Sequence, residues 1–84
     1  MNKQKLLRKV LAAPASTRFG DMVTLVEAFG FRLDRVSGGH HIFVHPDIPE
    51  LVNLQNRKGQ AKSYQVKQFF QLVEEHNLEL GDDA

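Results

Sequence analysis

Ser37-Gly38-Gly39-His40-His41-Ile42-Phe43-Val44-His45-Pro46 is the stretch that decides how this chain folds. Two adjacent glycines give the backbone conformations closed to residues with a Cβ, so Gly38-Gly39 predicts a tight turn. Ile42-Phe43-Val44 has the β-branched and aromatic content of a strand, and Pro46 cannot extend a sheet ladder. A hairpin turn that presents His40 at the head of a strand over residues 40–45 follows. Three of the four histidines of the chain lie within these six residues.

Upstream, residues 31–36 alternate apolar and charged side chains for four positions, as a half-exposed strand does. Arg35 and Val36 break the alternation, which predicts a bulge or a strand end there. Before them, Met22, Leu25, Val26 and Phe29 sit at the i, i+3, i+4, i+7 spacing of a buried helical stripe, so a helix over 21–29 is expected. Gly20-Asp21 would start it and Gly30 would stop it. A further helix over 3–13 carries Leu6, Leu7, Val10 and Leu11 on one face and Lys5, Arg8 and Lys9 on the other, and Pro14 ends it. That basic face reads as a solvated surface, with an RNA-touching arm as the alternative.

Downstream, 46–49 is expected as a loop and 50–55 as a third strand around Leu51, Val52 and Leu54. Residues 56–62 form a polar, basic loop. Ser63 is the expected N-cap of a last helix running to about residue 76, with Val66, Phe69, Phe70 and Val73 as its apolar stripe. Asn77 can stop that helix, Leu78 and Leu80 are placed to pack back on the body, and 81–84 is expected to fray. Without the N-terminal extension 1–17, the order is α-β-β-β-α. This is an α+β domain: a three-stranded antiparallel sheet with helices on one face.

With 84 residues the chain makes one domain, 1–84, without repeat or linker. No apolar run approaches the ~20 residues of a membrane span, no signal-type segment opens the chain, and there is no cysteine, so a cytoplasmic setting is expected. The formal charge of +1 hides an asymmetry. Residues 1–42 hold seven Lys/Arg against three acids (+4), and 43–84 hold four against seven (−3). A modestly basic body attracts phosphate but is far from the charge of a dedicated duplex binder.

Histidine is the one residue type here that exchanges protons near neutrality, with a free pKa of ~6.5. Beside basic residues, a lone activated imidazole suits phosphodiester transfer in RNA. It can take the ribose 2′-OH proton or protonate the 5′ leaving oxygen, while Arg or Lys stabilises charge on the phosphorane. In a regular strand His40, Ile42 and Val44 share one face and His41, Phe43 and His45 the other; composition does not say which face is the core. Taken alone, a histidine at position 40 is more often an ordinary strand residue than a catalyst. No metal is expected among these histidines: His40 and His41 point apart, and His41 and His45 stand ~13 Å apart along the strand. His76 reads as a solvated or capping residue. Arg35, Arg57, Lys58 and Lys62 together make a phosphate-binding rim, although each alone reads as a solvated charge. Tyr64 can stack on a base or serve packing.

Phe29-Gly30-Phe31, followed by the run Arg35 to Pro46, resembles the HicA (YcfA-like) family of bacterial toxins over roughly residues 20–80. In that family a helix ending in glycine leads through a strand to Gly-Ser-His, usually followed by a second histidine, an aromatic residue and His-Pro. The resemblance implies a fold like that of double-stranded-RNA-binding domains. It also implies an mRNA endoribonuclease (an mRNA interferase) whose active histidine corresponds to His40. The implied partners are mRNA and a HicB-like antitoxin that covers the active histidine; no cofactor, metal or membrane is called for. Arg35, Gly38, Gly39, Lys58 and Lys62 are the expected phosphate-binding residues. Two departures stand out. Gly39 replaces the family's serine and its hydroxyl, which bears on activity more than on fold. The helix over 3–13 lies outside the compact family pattern, as an extension of the core, a self-association element or an influence on antitoxin docking. The alternatives to an active nuclease are a non-catalytic RNA-binding or protein-interaction module on the same fold, and a plain interaction protein with pH-responsive histidines.

Overall fold

The computed structural model describes residues 2–81. Its order is α1 (Lys3–Ala12), a 3₁₀ turn (Pro14–Ser16), α2 (Phe19–Ala28), β1 (Arg32–Ser37), β2 (His40–His45), β3 (Ile48–Arg57), β4 (Gln60–Ala61) and α3 (Ser63–Glu75). The four strands form one antiparallel sheet in the order β1-β2-β3-β4. This is the expected α+β architecture with an added N-terminal helix, and β4 joins the three expected strands.

The turn at Gly38-Gly39 forms as expected. Ser37 pairs with His40, and both glycines have positive φ (+57° and +84°). These are the two left-handed positions of a two-residue type I′ hairpin, whose twist matches that of the flanking strands. The basic loop contains a second turn of the same kind. Arg57 pairs with Gln60 across Lys58 (φ +53°) and Gly59 (φ +87°). Residues 56–62 are therefore the end of β3, a turn and β4 rather than an irregular loop. The expected loop over 46–49 likewise shrinks to Pro46-Asp47, because Ile48 already pairs with His45.

β1 departs from its expected half-burial and is exposed along its whole length. It is the edge strand, and its ladder shifts between Leu33 and Arg35, just before the expected break. The bulge at Asp34 puts Leu33 and Val36 opposite Phe43 and His41, on the helix-facing side of the sheet, yet both stay about half exposed.

α2 begins two residues before its expected start. The backbone N–H of Phe19 donates to Gly59 O (2.9 Å), so the β3–β4 turn satisfies a donor that a helix start leaves open. Its stripe of Met22, Leu25 and Val26 is buried with Phe29. In α1 only Leu6 and Val10 are buried, while Leu11 is 55% exposed, so the stripe is narrower than its spacing predicts. Asn2 caps α1 by accepting the Lys5 N–H (2.8 Å). Ser63 proves to be the first residue of α3, and Lys62 is its N-cap. Asn77 (φ +51°) ends that helix as expected, with the Leu78 N–H closing on Val73 O (2.9 Å). Leu78 and Leu80 pack back on the core. Of the tail expected to fray, Gly81 donates its N–H to Ala28 O (2.8 Å), and 82–84 lie outside the described residues.

One core results. Phe43, Val52 and Leu54 point from the sheet towards Met22, Leu25 and Val26 of α2 and Val66 and Phe69 of α3, and α1 contributes Leu6 and Val10. The junction of α2 and β1 is a close fit. Gly30 has φ +96°, and a Cβ there would stand 2.9 Å from His45 Nε2. Gly30→Ala should therefore destabilise the protein by about 2 kcal/mol through backbone strain and displacement of His45. Gly20→Ala, where a Cβ meets nothing within 4 Å, should be neutral or slightly stabilising. Urea unfolding of the two variants checks the contrast.

Candidate active site

The three clustered histidines part company in the sheet. His41 pairs with Leu54 and turns to the helix side, where its ring meets Phe19 edge-on at 4.8 Å. Its Nδ1 is buried with no hydrogen-bond partner among the described residues. His45 lies against Phe31 (5.0 Å, edge-on), and its Nδ1 accepts the Asp47 N–H at 3.1 Å, bracing the Pro46-Asp47 turn.

His40 keeps the regular parity of the strand and lies on the opposite face, with Ile42. The core packing of α2 and α3 lies on the other face, against Phe43, Val52 and Leu54, and His40 is half-buried on its own face. Its Nδ1 stands 3.1 Å from Asn53 Oδ1 on β3. With the Asn53 oxygen turned to the ring it can only accept, and the tautomer that completes this contact carries its hydrogen on Nδ1 and its lone pair on Nε2, which has no hydrogen-bond partner among the described residues. Asn53 was not among the expected site residues. It alternates outward between Val52 and Leu54, but only the β2–β3 register brings it to His40.

Around His40 the basic residues divide into two groups. Arg35 pairs with Ile42 across the β1–β2 ladder and so lies diagonal to His40 on the same face, but its guanidinium is held by Asp34. Beyond β3, Arg57, Lys58, Lys62 and Tyr64 line an open groove of about 620 Å³ with polar walls. Lys62 Nζ sits 6.0 Å from the centre of the Tyr64 ring, and that ring is itself half exposed. Gln55 connects the two regions: it is the direct cross-strand partner of His40, and its side chain meets Tyr64 and Gln65 of α3. Gly38 and Gly39 are exposed beside His40, with nothing within 4 Å of where a Cβ would stand. Gly39, however, has φ +84°. Space would admit a serine at this position, but the backbone conformation of this turn disfavours it.

The fourth histidine lies elsewhere. His76 is the C-cap of α3 and holds its Nε2 3.2 Å from the Glu50 carboxylate, fastening the end of the helix to β3. With Glu75 these residues form a small His/carboxylate cluster whose ligand-type atoms lie within 4.8 Å of one another. The hydrogen bond from His76 is the main reason the Glu50 carboxyl is held below its ordinary range. A carboxyl lowered in the folded state stabilises the fold above its unfolded pKa, and that gain is lost as pH falls through the lowered value. His76→Ala should return the Glu50 titration upward, followed by carboxyl NMR. The stability deficit of this variant should be present at neutral pH and vanish in acid.

Among the described residues no helix is long and apolar enough to cross a membrane. Comparison with curated proteins gave no match. The family model of the HicA toxin of bacterial toxin-antitoxin systems matches residues 19–74, from the start of α2 almost to the end of α3 and so across the whole sheet. The chain belongs to the HicA toxin family.

Proposed function

We propose that this protein is an endoribonuclease toxin that cuts messenger RNA, with His40 as the proton-transfer residue. The observation that carries this is the pairing of His40 Nδ1 with Asn53 Oδ1 on the face of the sheet turned away from the core. It orients the ring and leaves Nε2 to act as a base. Nε2 takes the proton of a ribose 2′-OH, and that oxygen attacks the adjacent phosphorus. The P–O5′ bond breaks, the 5′ oxygen leaves with a proton from water, and the imidazolium returns its own proton to solvent.

The surroundings suit an RNA strand. Lys58 and Lys62, with Arg57, supply positive charge in the groove beyond β3, and Tyr64 offers an exposed ring for stacking. Arg35 answers the phosphate from the β1 side by exchanging Asp34 for it. Gly38 and Gly39 present bare backbone at the turn, so a phosphate can pass close to His40. Lacking the serine hydroxyl, this site relies on the backbone and on Asn53 to order the imidazole and the phosphate. The partner that restrains such a toxin is an antitoxin of the HicB type covering the His40 face, and the setting is the cytoplasm, where messenger RNA lies. A non-catalytic RNA-binding module is the second reading, favoured by Gly39 alone.

His40→Ala should lower RNA cleavage by at least ~10²-fold and abolish growth arrest while leaving the unfolding midpoint unchanged. A variant as active and as toxic as the wild type would remove His40 from the mechanism. Asn53→Ala should keep RNA affinity and lose most of the rate, because it touches the ring rather than the substrate. Cleavage kinetics with KM and kcat resolved separate the two effects.

A further inference from the structure

Gln65 is out of place in α3. It is 2% exposed on a helix whose neighbouring inward residues, Val66 and Phe69, are apolar. A buried carboxamide is costly unless its donor and acceptor are both answered. Here one residue answers both. Gln65 Oε1 accepts the backbone N–H of Gln55 (2.8 Å), and Gln65 Nε2 donates to Gln55 Oε1 (2.9 Å). The Tyr64 hydroxyl closes the set at 3.3 Å from Gln65 Nε2 and 3.5 Å from Gln55 Oε1.

The backbone N–H makes this arrangement unambiguous. It can only donate, so the Gln65 atom facing it is oxygen, the other end of that amide is nitrogen, and the Gln55 atom it meets is oxygen. The Gln55 carbonyl is thereby committed to α3. Its NH₂ group has no hydrogen-bond partner among the described residues, and Gln55 is the cross-strand neighbour of His40. Stability alone does not call for such a pair, since an apolar pair of similar shape can be about as stable. What the pair adds is a choice of which end of Gln55 is left for a ligand.

We infer that Gln55 is a substrate-contacting residue that donates its amide N–H to a phosphate oxygen of the RNA beside His40. Buried Gln65 is the positioning residue that keeps this donor outward. The inference rests on the RNA-cleavage reading above. It places a neutral donor between His40 and the Lys58/Lys62 groove, where a phosphate-bearing strand would pass.

The test uses the full chain and a 2′-O-methyl RNA oligonucleotide, which binds without being cut, at low salt. Gln55→Ala should weaken binding about tenfold, the range of a hydrogen bond to a charged group. Gln55→Glu keeps the acceptor for Gln65 Nε2 but puts an oxygen where the donor was, so it should weaken binding further. Because the added charge repels phosphate whether or not residue 55 touches it, the neutral Gln55→Ala is the variant that reports the donor, and a purely structural role would leave its RNA binding like that of the wild type. Gln65→Glu keeps the acceptor for the Gln55 N–H and sets oxygen against oxygen, turning the Gln55 amide over. It should also lose about tenfold without touching RNA, and adding Gln55→Ala should cost little more. The losses should be alike for oligonucleotides of unrelated sequence. Gln55→Ala binding as tightly as the wild type overturns the inference, whatever the folding of the Gln65 variant, and so does a loss confined to one base. A wild type that fails to bind the RNA overturns the cleavage reading with it. A wild type that binds while Gln55→Ala binds equally well overturns this inference alone.

Discussion

Phe43 in the core is the constraint on which the rest of the arrangement depends. It is 1% exposed and meets the helices from the middle of β2, and a strand side chain cannot be buried without sending its neighbours to the other face. With Phe43 inward, His41 follows it towards Phe19, and His40 and Ile42 must face away from the helices. The type I′ turn at Gly38-Gly39 holds the phase of this alternation, because two residues with positive φ join β1 and β2 without slippage. A slip of one residue would exchange His40 and His41 and bury the ring that is now open.

Register then gives a lone histidine its polar neighbours. The β2–β3 pairing sets Asn53 diagonal to His40 and Gln55 opposite it, and α3 reaches the same end of β3 through Tyr64 and Gln65. The second glycine turn, Lys58-Gly59, folds the basic segment back as β4, so that Lys58 and Lys62 line one groove. The same turn accepts the Phe19 N–H and starts α2. Local hairpin geometry thus joins the basic groove, the sheet and the first core helix.

Much of this was legible in the residues themselves. The glycine turn, β2, the buried faces of α2 and α3, and the stops at Gly30 and Asn77 each follow from local chemistry or periodicity. The half-burial expected of β1 fails because alternation reports two faces but not whether helices extend far enough to cover one of them. Leu11 stays exposed because a stripe of four apolar residues needs a partner as wide as itself. The basic segment 56–62 hid a hairpin because Lys58, with its side chain, takes the left-handed position before Gly59. Asn53 and Gln55 could not be joined to His40 without the register. Gln65 carried a usable signal: it stands four residues before Phe69, on the flank of the apolar stripe, where a polar residue is buried only if something answers it.

The chemistry assigned to His40 needs a ribose 2′ oxygen as the nucleophile, and the ends of the RNA fragments report that directly. Transfer through the 2′-OH leaves a 2′,3′-cyclic phosphate on one fragment and a free 5′-hydroxyl on the other. Mass spectrometry of the fragments from a short RNA incubated with the purified protein should find those two ends. Fragments with 5′-phosphate and 3′-hydroxyl ends would mean that water attacked the phosphorus, and would contradict the account. Intact RNA under conditions in which the protein binds it would contradict it as well.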